Sequence, residues 1–176
     1  VTGPQRYKQL SKLVKHYKAR NVVEIGTWNG GRAIEMALSA FSVDDIHEFH
    51  YWGFDLFEEA TEESDEYEMN SGIDLTYIDG GHSYETCKSD YMFLKDVPVV
   101  VFDDFFSKDP KGLIAPKEHQ GTNQVMEEIE GLRRVALPSH DRVNGGGITH
   151  LGVVLHEGVA DVPTELLHVP IVITPK

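Results

Sequence analysis

Four short apolar runs stop at residues of the kind that bind ligands. Val22-Val23-Glu24-Ile25 stops at Gly26, and the turn Thr27-Trp28-Asn29-Gly30-Gly31 follows. The second run ends at Asp55, the third at Asp79 and the fourth at Asp103-Asp104. Asp79, Asp103 and Asp104 meet at one edge if their strands are neighbours. Two carboxylates ~4 Å apart repel by ~4 kcal/mol at an effective dielectric near 20. Lys88 and Lys108 are weak candidates to offset this, whereas a hard divalent cation would do so directly. Mg²⁺ takes octahedral oxygen ligands and keeps some water, and Mn²⁺ or Ca²⁺ can substitute. The plainer alternative is that these aspartates only cap strand ends. His82 comes just after Asp79-Gly80-Gly81. It is a candidate base for a substrate hydroxyl or a metal ligand, against the alternative of a hydrogen-bonded histidine at a helix start.

The glycine turn lies between an expected strand and an expected helix. Glycine lets the backbone turn sharply against a ligand, and the helix N-terminus offers N–H groups to an anion. The dinucleotide fingerprint G-x-G-x-x-G is not met, because Trp28 stands where its second glycine belongs, so NAD is disfavoured. Asp55, 29 residues beyond Gly26, is placed to accept hydrogen bonds from ribose hydroxyls, or else caps a turn.

The elements that must position these residues follow from periodicity. Leu10, Leu13, Val14 and Tyr17 mark a helix over about 4 to 19, and Ala33, Ile34, Ala37, Leu38 and Phe41 mark a second. Strands are expected at 22–25, 49–54, 73–78 and 97–102, with a helix over about 83 to 95 that buries Cys87. Residues 107–121, with Pro110, Gly112, Pro116 and Gly121, read as a loop, and a helix through Val125, Met126, Ile129 and Leu132 follows. Val135–Leu137 and 148–155 read as a terminal hairpin. Alternating strands and helices predict a mostly parallel sheet covered on both faces, with ligands at the carboxyl ends of its strands.

Composition narrows the function classes. At 176 residues, 40% hydrophobic and 26% charged, the chain fits one domain over 1–176. No apolar run is long enough to span a bilayer, and residues 1–11 do not read as a signal peptide. A single cysteine suits a reducing, cytoplasmic setting. The net charge of −13 disfavours nucleic acid as a partner. Seven of those charges fall between Glu58 and Glu68, so residues 57–71 read as an acidic, mobile segment, with a lid as the alternative. The other histidines, His119 among them, are expected at the surface or in packing, and the two tryptophans, Trp28 and Trp52, in the core, with flanking a cofactor as the alternative. Oligomeric state is left open by the sequence, a homo-oligomer included.

Val23-Glu24-Ile25-Gly26-Thr27-Trp28-Asn29-Gly30 resembles the cofactor loop of class I S-adenosylmethionine-dependent methyltransferases. Tyr77-Ile78-Asp79-Gly80-Gly81-His82-Ser83-Tyr84-Glu85 and Val101-Phe102-Asp103-Asp104-Phe105 resemble the metal-dependent O-methyltransferase branch, of catechol and macrocin-type sugar enzymes. The resemblance covers about residues 10 to 155. It implies a Rossmann-like α/β sandwich with a C-terminal antiparallel hairpin, S-adenosyl-L-methionine as cofactor and a small hydroxylated acceptor such as a sugar or secondary metabolite. It implies that Glu24, Gly26, Thr27 and Gly30 line the methionine part of the cofactor, that Arg32 pairs with its carboxylate and that Asp55 holds its ribose. Asp79, Asp103 and Asp104 would bind Mg²⁺. The position after Gly80, often a second aspartate in these relatives, is Gly81, so His82 is the candidate base. Relatives place a further helix and strand between the ribose and metal aspartates, which are 24 residues apart here. A segment missing from the numbered chain is the expected reason, since a sheet lacking an internal unit would expose an apolar edge. The competing readings are a non-catalytic metabolite-binding domain of the same fold and a metal-dependent hydrolase.

Overall fold

The computed structural model describes residues 4–55, 72–109, 112–113, 119–142 and 147–168. The acidic segment expected over 57–71 lies outside them. In chain order the elements are α1 (Gln5–His16), β1 (Asn21–Ile25), α2 (Gly31–Phe41), β2 (His50–Phe54), β3 (Leu75–Ile78), α3 (Tyr84–Leu94) and β4 (Val99–Phe106). There follow a two-stranded ribbon, β5 (Lys108–Asp109) and β6 (Gly112–Leu113), then α4 (Gly121–Glu128), β7 (Arg133–Leu137) and β8 (Thr149–Leu155). The main sheet has the order β2-β1-β3-β4-β8-β7. β2, β1, β3 and β4 run parallel, and β8 lies antiparallel between β4 and β7. The expected mostly parallel sheet with an antiparallel C-terminal pair is therefore present.

The side-chain alternation of the strands sorts the core into two layers. Val22, Leu75, Tyr77, Val99 and Val101 pack against Leu10, Leu13 and Val14 of α1 and Met36 and Ala40 of α2. Val23, Ile78, Val100 and Phe102 pack against Cys87, Tyr91 and Leu94 of α3 and Val125 and Met126 of α4. Thus α1 and α2 cover one face, and α3 and α4 the other. No described helix is long and apolar enough to cross a membrane.

Two expectations need correction. The fourth strand does not stop at Asp103-Asp104 but runs on to Phe106. Opposite β8 the register shifts between Phe102 and Phe105, so the two aspartates form a bulge inside a strand. A bulge re-aims side chains without ending the ladder, and Asp104 has the positive φ of +52° that goes with it. The sheet is also continuous from β1 to β3, so no unit is missing from its interior. After β2 the chain crosses to the other side of β1, where β3 pairs directly. A further unit there would extend the edge beyond β2, and the sheet interior is continuous without it.

Candidate functional site

The chain leaves β1 on one side for β2 and returns on the other for β3, so the switch point lies between β1 and β3. In open α/β sheets ligands bind at the carboxyl ends of the strands beside such a point. Gly26 sits there with φ +86°, and a Cβ on it would lie 2.0 Å from the Asp79 carbonyl oxygen. No other residue lets the ends of β1 and β3 come so close. Gly30 (φ +71°) begins α2 as a cap without a side-chain hydrogen bond, and no acidic residue occupies the first turn of that helix. Asp55 holds the turn from β2: its Oδ2 accepts the Trp28 N–H at 2.5 Å and the Thr27 hydroxyl at 3.2 Å. Trp28 is 80% exposed on the turn, a correction to its expected place in the core. The result is an open backbone turn leading into a helix N-terminus, which favours an anionic group such as a carboxylate.

Glu24 and Arg32, which the family resemblance assigns to the methionine part of the cofactor and its carboxylate, pair with each other beneath the turn. Glu24 is fully buried on the α1/α2 face. It accepts Arg32 Nε at 2.6 Å and the Tyr51 hydroxyl. Arg32 also donates to the Gly26 carbonyl oxygen and pairs with Asp79 at 3.1 Å, with its guanidinium between the Tyr7 and Tyr77 rings. Both side chains brace the turn from beneath. Burial of Tyr51, with the Glu24 carboxylate beside it, raises that phenol's pKa, so it stays a hydrogen-bond donor.

Asp79, Asp103 and Asp104 do come together, but the charge between them is offset by arginine rather than by Lys88. Lys88 pairs with Glu128 instead. Arg6 of α1 donates to Asp103 Oδ1 at 2.6 Å, Asp104 Oδ1 at 3.1 Å and the Thr149 hydroxyl at 3.1 Å. Asp103 is buried. Its Oδ1 also accepts the Asp104 N–H, and its Oδ2 accepts the Tyr77 hydroxyl at 2.8 Å. Asp141 anchors the arrangement by capping α1 through the N–H groups of Gln5 and Arg6. Burial raises the Asp103 pKa despite Arg6. Asp79 is pushed up to about 8, first by burial and then by the charge of Asp103, although Arg32 pulls the other way. The 3.1 Å pair and the raised pKa are compatible because Arg32 is shared with Glu24. Five carboxylates (Glu24, Asp79, Asp103, Asp104 and Asp141) lie against two guanidiniums, a formal excess of three negative charges.

A Mg²⁺ ion on Asp79, Asp103 and Asp104 does not fit this arrangement. Both oxygens of Asp103 carry protein donors and Asp79 is paired with Arg32. Among the described residues, the group whose ligand atoms converge is His82, Asp104 and His119, all within 4.8 Å of one another. His82 Nδ1 lies 3.1 Å and His119 Nδ1 4.0 Å from Asp104 Oδ2, and the two imidazoles stack at 4.4 Å. Gly121 makes this possible: its N–H bonds to the His82 carbonyl oxygen, and a Cβ on it would lie 2.4 Å from the Ser83 carbonyl oxygen. The start of α4 therefore seats directly on the turn that carries His82. His119, expected at the surface or in packing, is partly exposed and stacks on His82; a lone histidine in a loop rich in proline and glycine carries no spacing signal for that contact.

No family model matches the sequence, and no curated protein does. Solved structures do match in fold. The O-methyltransferase from Bacillus cereus in complex with SAH is 18% identical, over 89% of this chain and 83% of that one, with a TM-score of 0.54. TomG, the O-methyltransferase from Streptomyces achromogenes involved in tomaymycin synthesis, in complex with SAM, is 14% identical over 88% and 81%, with a TM-score of 0.53. Cofactor-bound Rv0187 from MTB is 19% identical over 88% and 81%, with a TM-score of 0.52. By these likenesses the chain has the Rossmann-like fold of the class I O-methyltransferases.

Proposed function

We propose that this protein is an S-adenosylmethionine-dependent O-methyltransferase acting on a hydroxyl of a small molecule, such as a sugar or secondary metabolite. The observation that supports it best is the meeting of two structures at the β1/β3 switch point. An open glycine turn held by Asp55 lies on one side, and the His82–Asp104–His119 cluster on the other. The turn suits the cofactor: Gly26, Thr27 and Gly30 shape its backbone, and α2 offers its N-terminus to the amino-acid carboxylate. Asp55 is the residue for the ribose hydroxyls. When bound, the cofactor supplies an electrophilic sulfonium methyl.

The chain's own residues must then hold the acceptor and take its proton. In the absence of a metal ion that proton goes to His82. Asp104 holds its Nδ1 at 3.1 Å, which fixes the ring and leaves the other nitrogen to act as base. Asp79, Asp103, Arg6 and Arg32 form the charged floor that keeps Asp104 and the turn in place. The hydrolase reading would leave the open turn and the N-terminus of α2 without a ligand.

Calorimetric titration with S-adenosylmethionine tests the reading. Binding is expected in the wild type and at least ~10-fold weaker in Asp55→Ala, a loss of ~1.4 kcal/mol. No binding heat in the folded wild type would sink it. Release of S-adenosylhomocysteine in the presence of hydroxylated acceptors separates an enzyme from a domain that only binds.

A further inference from the structure

We propose that His82, Asp104 and His119 form a site for a borderline first-row metal ion, typified by Zn²⁺ or Co²⁺, and not for Mg²⁺. Two imidazole nitrogens and one carboxylate oxygen are a poor set for Mg²⁺, which demands oxygen ligands in near-ideal octahedral geometry. They are a good set for metals that accept nitrogen, and such sites keep open positions for water or substrate. The three elements bring the ligand atoms within 4.8 Å of one another, and the two imidazoles, stacked 18° from parallel, would turn to aim both Nδ1 lone pairs at one ion. Asp104 Oδ2 faces both Nδ1 atoms, at 3.1 and 4.0 Å, while its Oδ1 is held by Arg6 and Thr149. That division gives one oxygen to the ion and the other to the partners that orient the carboxylate, the arrangement that stabilises metal ligands. Asp104 is buried, whereas the two imidazole side chains are 40% and 35% exposed, so the site opens to one side. The three ligands come from the turn before α3, the bulge in β4 and the residue two before α4, and Gly121 locks the first and last together.

The consequence for catalysis rests on the methyltransferase reading. In the loaded protein His82 would serve as a ligand instead of a base; the ion would lower the pKa of the acceptor hydroxyl, whose proton would pass to solvent water. Metal binding itself does not rest on that reading and is measured without cofactor.

The test titrates the metal-stripped full chain with Co²⁺, followed by visible absorption, and with Zn²⁺ and Mg²⁺ by calorimetry. One Co²⁺ or Zn²⁺ per chain is expected, at least ~100-fold tighter than Mg²⁺. His119→Gln and His82→Gln should each weaken Co²⁺ at least ~30-fold, above the lower end of the effects known for orienting residues alone. A His47→Ala/His50→Ala double variant, which removes two histidines away from the site, should leave it unchanged. Pulsed EPR of the Cu²⁺-loaded wild type needs no variant and should show two coordinated imidazoles. Mg²⁺ binding that matches Co²⁺ and is lost in Asp79→Asn would overturn the proposal. So would Co²⁺ affinity unchanged in His119→Gln, or fewer than two imidazoles on Cu²⁺. Metal binding without S-adenosylmethionine binding would leave the site standing and remove the methyltransferase reading; the reverse result would do the opposite.

Discussion

The glycine-turn side and the acid side of the rim are built on opposite plans. The turn is made of backbone: two glycines at positive φ, an exposed Trp28 and one carboxylate, Asp55, that grips an N–H. The acid side is made of side chains, with Asp103, Tyr77 and Arg6 buried in a network that spans α1, β3 and β4. A backbone cradle needs only small residues to fit a ligand closely. A buried set of like charges needs compensation first, and only what the arginines leave over is available for chemistry. Asp104, shared between Arg6 below and the two imidazoles above, is where the second plan opens to solvent.

Removing the compensation should have the largest effect. Arg6→Met strips a direct partner from both Asp103 and Asp104. Breaking one side of a buried ion pair typically costs ~3–5 kcal/mol. Chemical denaturation should report a loss in that range. A loss below ~1 kcal/mol would mean that Tyr77 and the Asp104 N–H suffice for Asp103, and the contrast between the two sides would lose its basis. Next comes Gly26→Ala on the backbone side. Its Cβ would collide with the Asp79 carbonyl at a position that already disfavours an L-residue, so a loss of ~3 kcal/mol or more is expected from overpacking and φ strain together.

The contrast also decides what the sequence made legible. The backbone side lies within one strand–turn–helix unit, so Gly26, Gly30 and the strand-end Asp55 stand out as punctuation between apolar runs. The order of elements was readable for the same reason, because each buried strand and amphipathic helix carries its own period. The acid side depends on residues far apart in the chain. Arg6 reaches Asp103 across 97 positions, and Asp104 meets Thr149 across 45. Nothing local in α1 distinguishes Arg6 from a solvated helix arginine, so the repulsion among the aspartates pointed to a metal when the molecule had placed guanidinium there. The bulge was hidden too, since Asp103-Asp104 after four apolar residues looks like a strand end. Arg32, only eight residues from Glu24, shows the limit even of local reading: its spacing was visible, but its burial beneath the turn was not.

A smaller effect comes from Asp79, where the two sides touch. Its folded pKa of about 8 lies above its unfolded value near ~3.9, so the folded state holds its proton more tightly. The resulting stability is full below the unfolded pKa and is lost as pH rises toward 8. Asp79→Asn cannot lose a proton, so it should gain on the wild type between pH 5 and 8. The gain should be a fraction of the ~1.4 kcal/mol per pH unit that linkage allows, because Arg32 also favours the ionised form. Parallel thermal melts across that range would show it, and a constant difference would mean that Asp79 is ionised throughout.

The smallest effect expected is Gly30→Ala, which separates the two reasons for a glycine. Like Gly26, Gly30 has a positive φ, but nothing lies within 4 Å of where its Cβ would be. Only backbone strain remains, worth ~1–2 kcal/mol for an L-residue in the left-handed region. Thermal stability should therefore fall less than in Gly26→Ala. If the open space above Gly30 is where the cofactor's amino-acid end approaches, the added methyl should weaken S-adenosylmethionine by more than the stability loss accounts for. Equal stability losses at the two glycines would show that the contact between β1 and β3 is not what demands Gly26. Unchanged cofactor affinity in Gly30→Ala would move the ligand away from the turn, and with it the meaning of the open side of the rim.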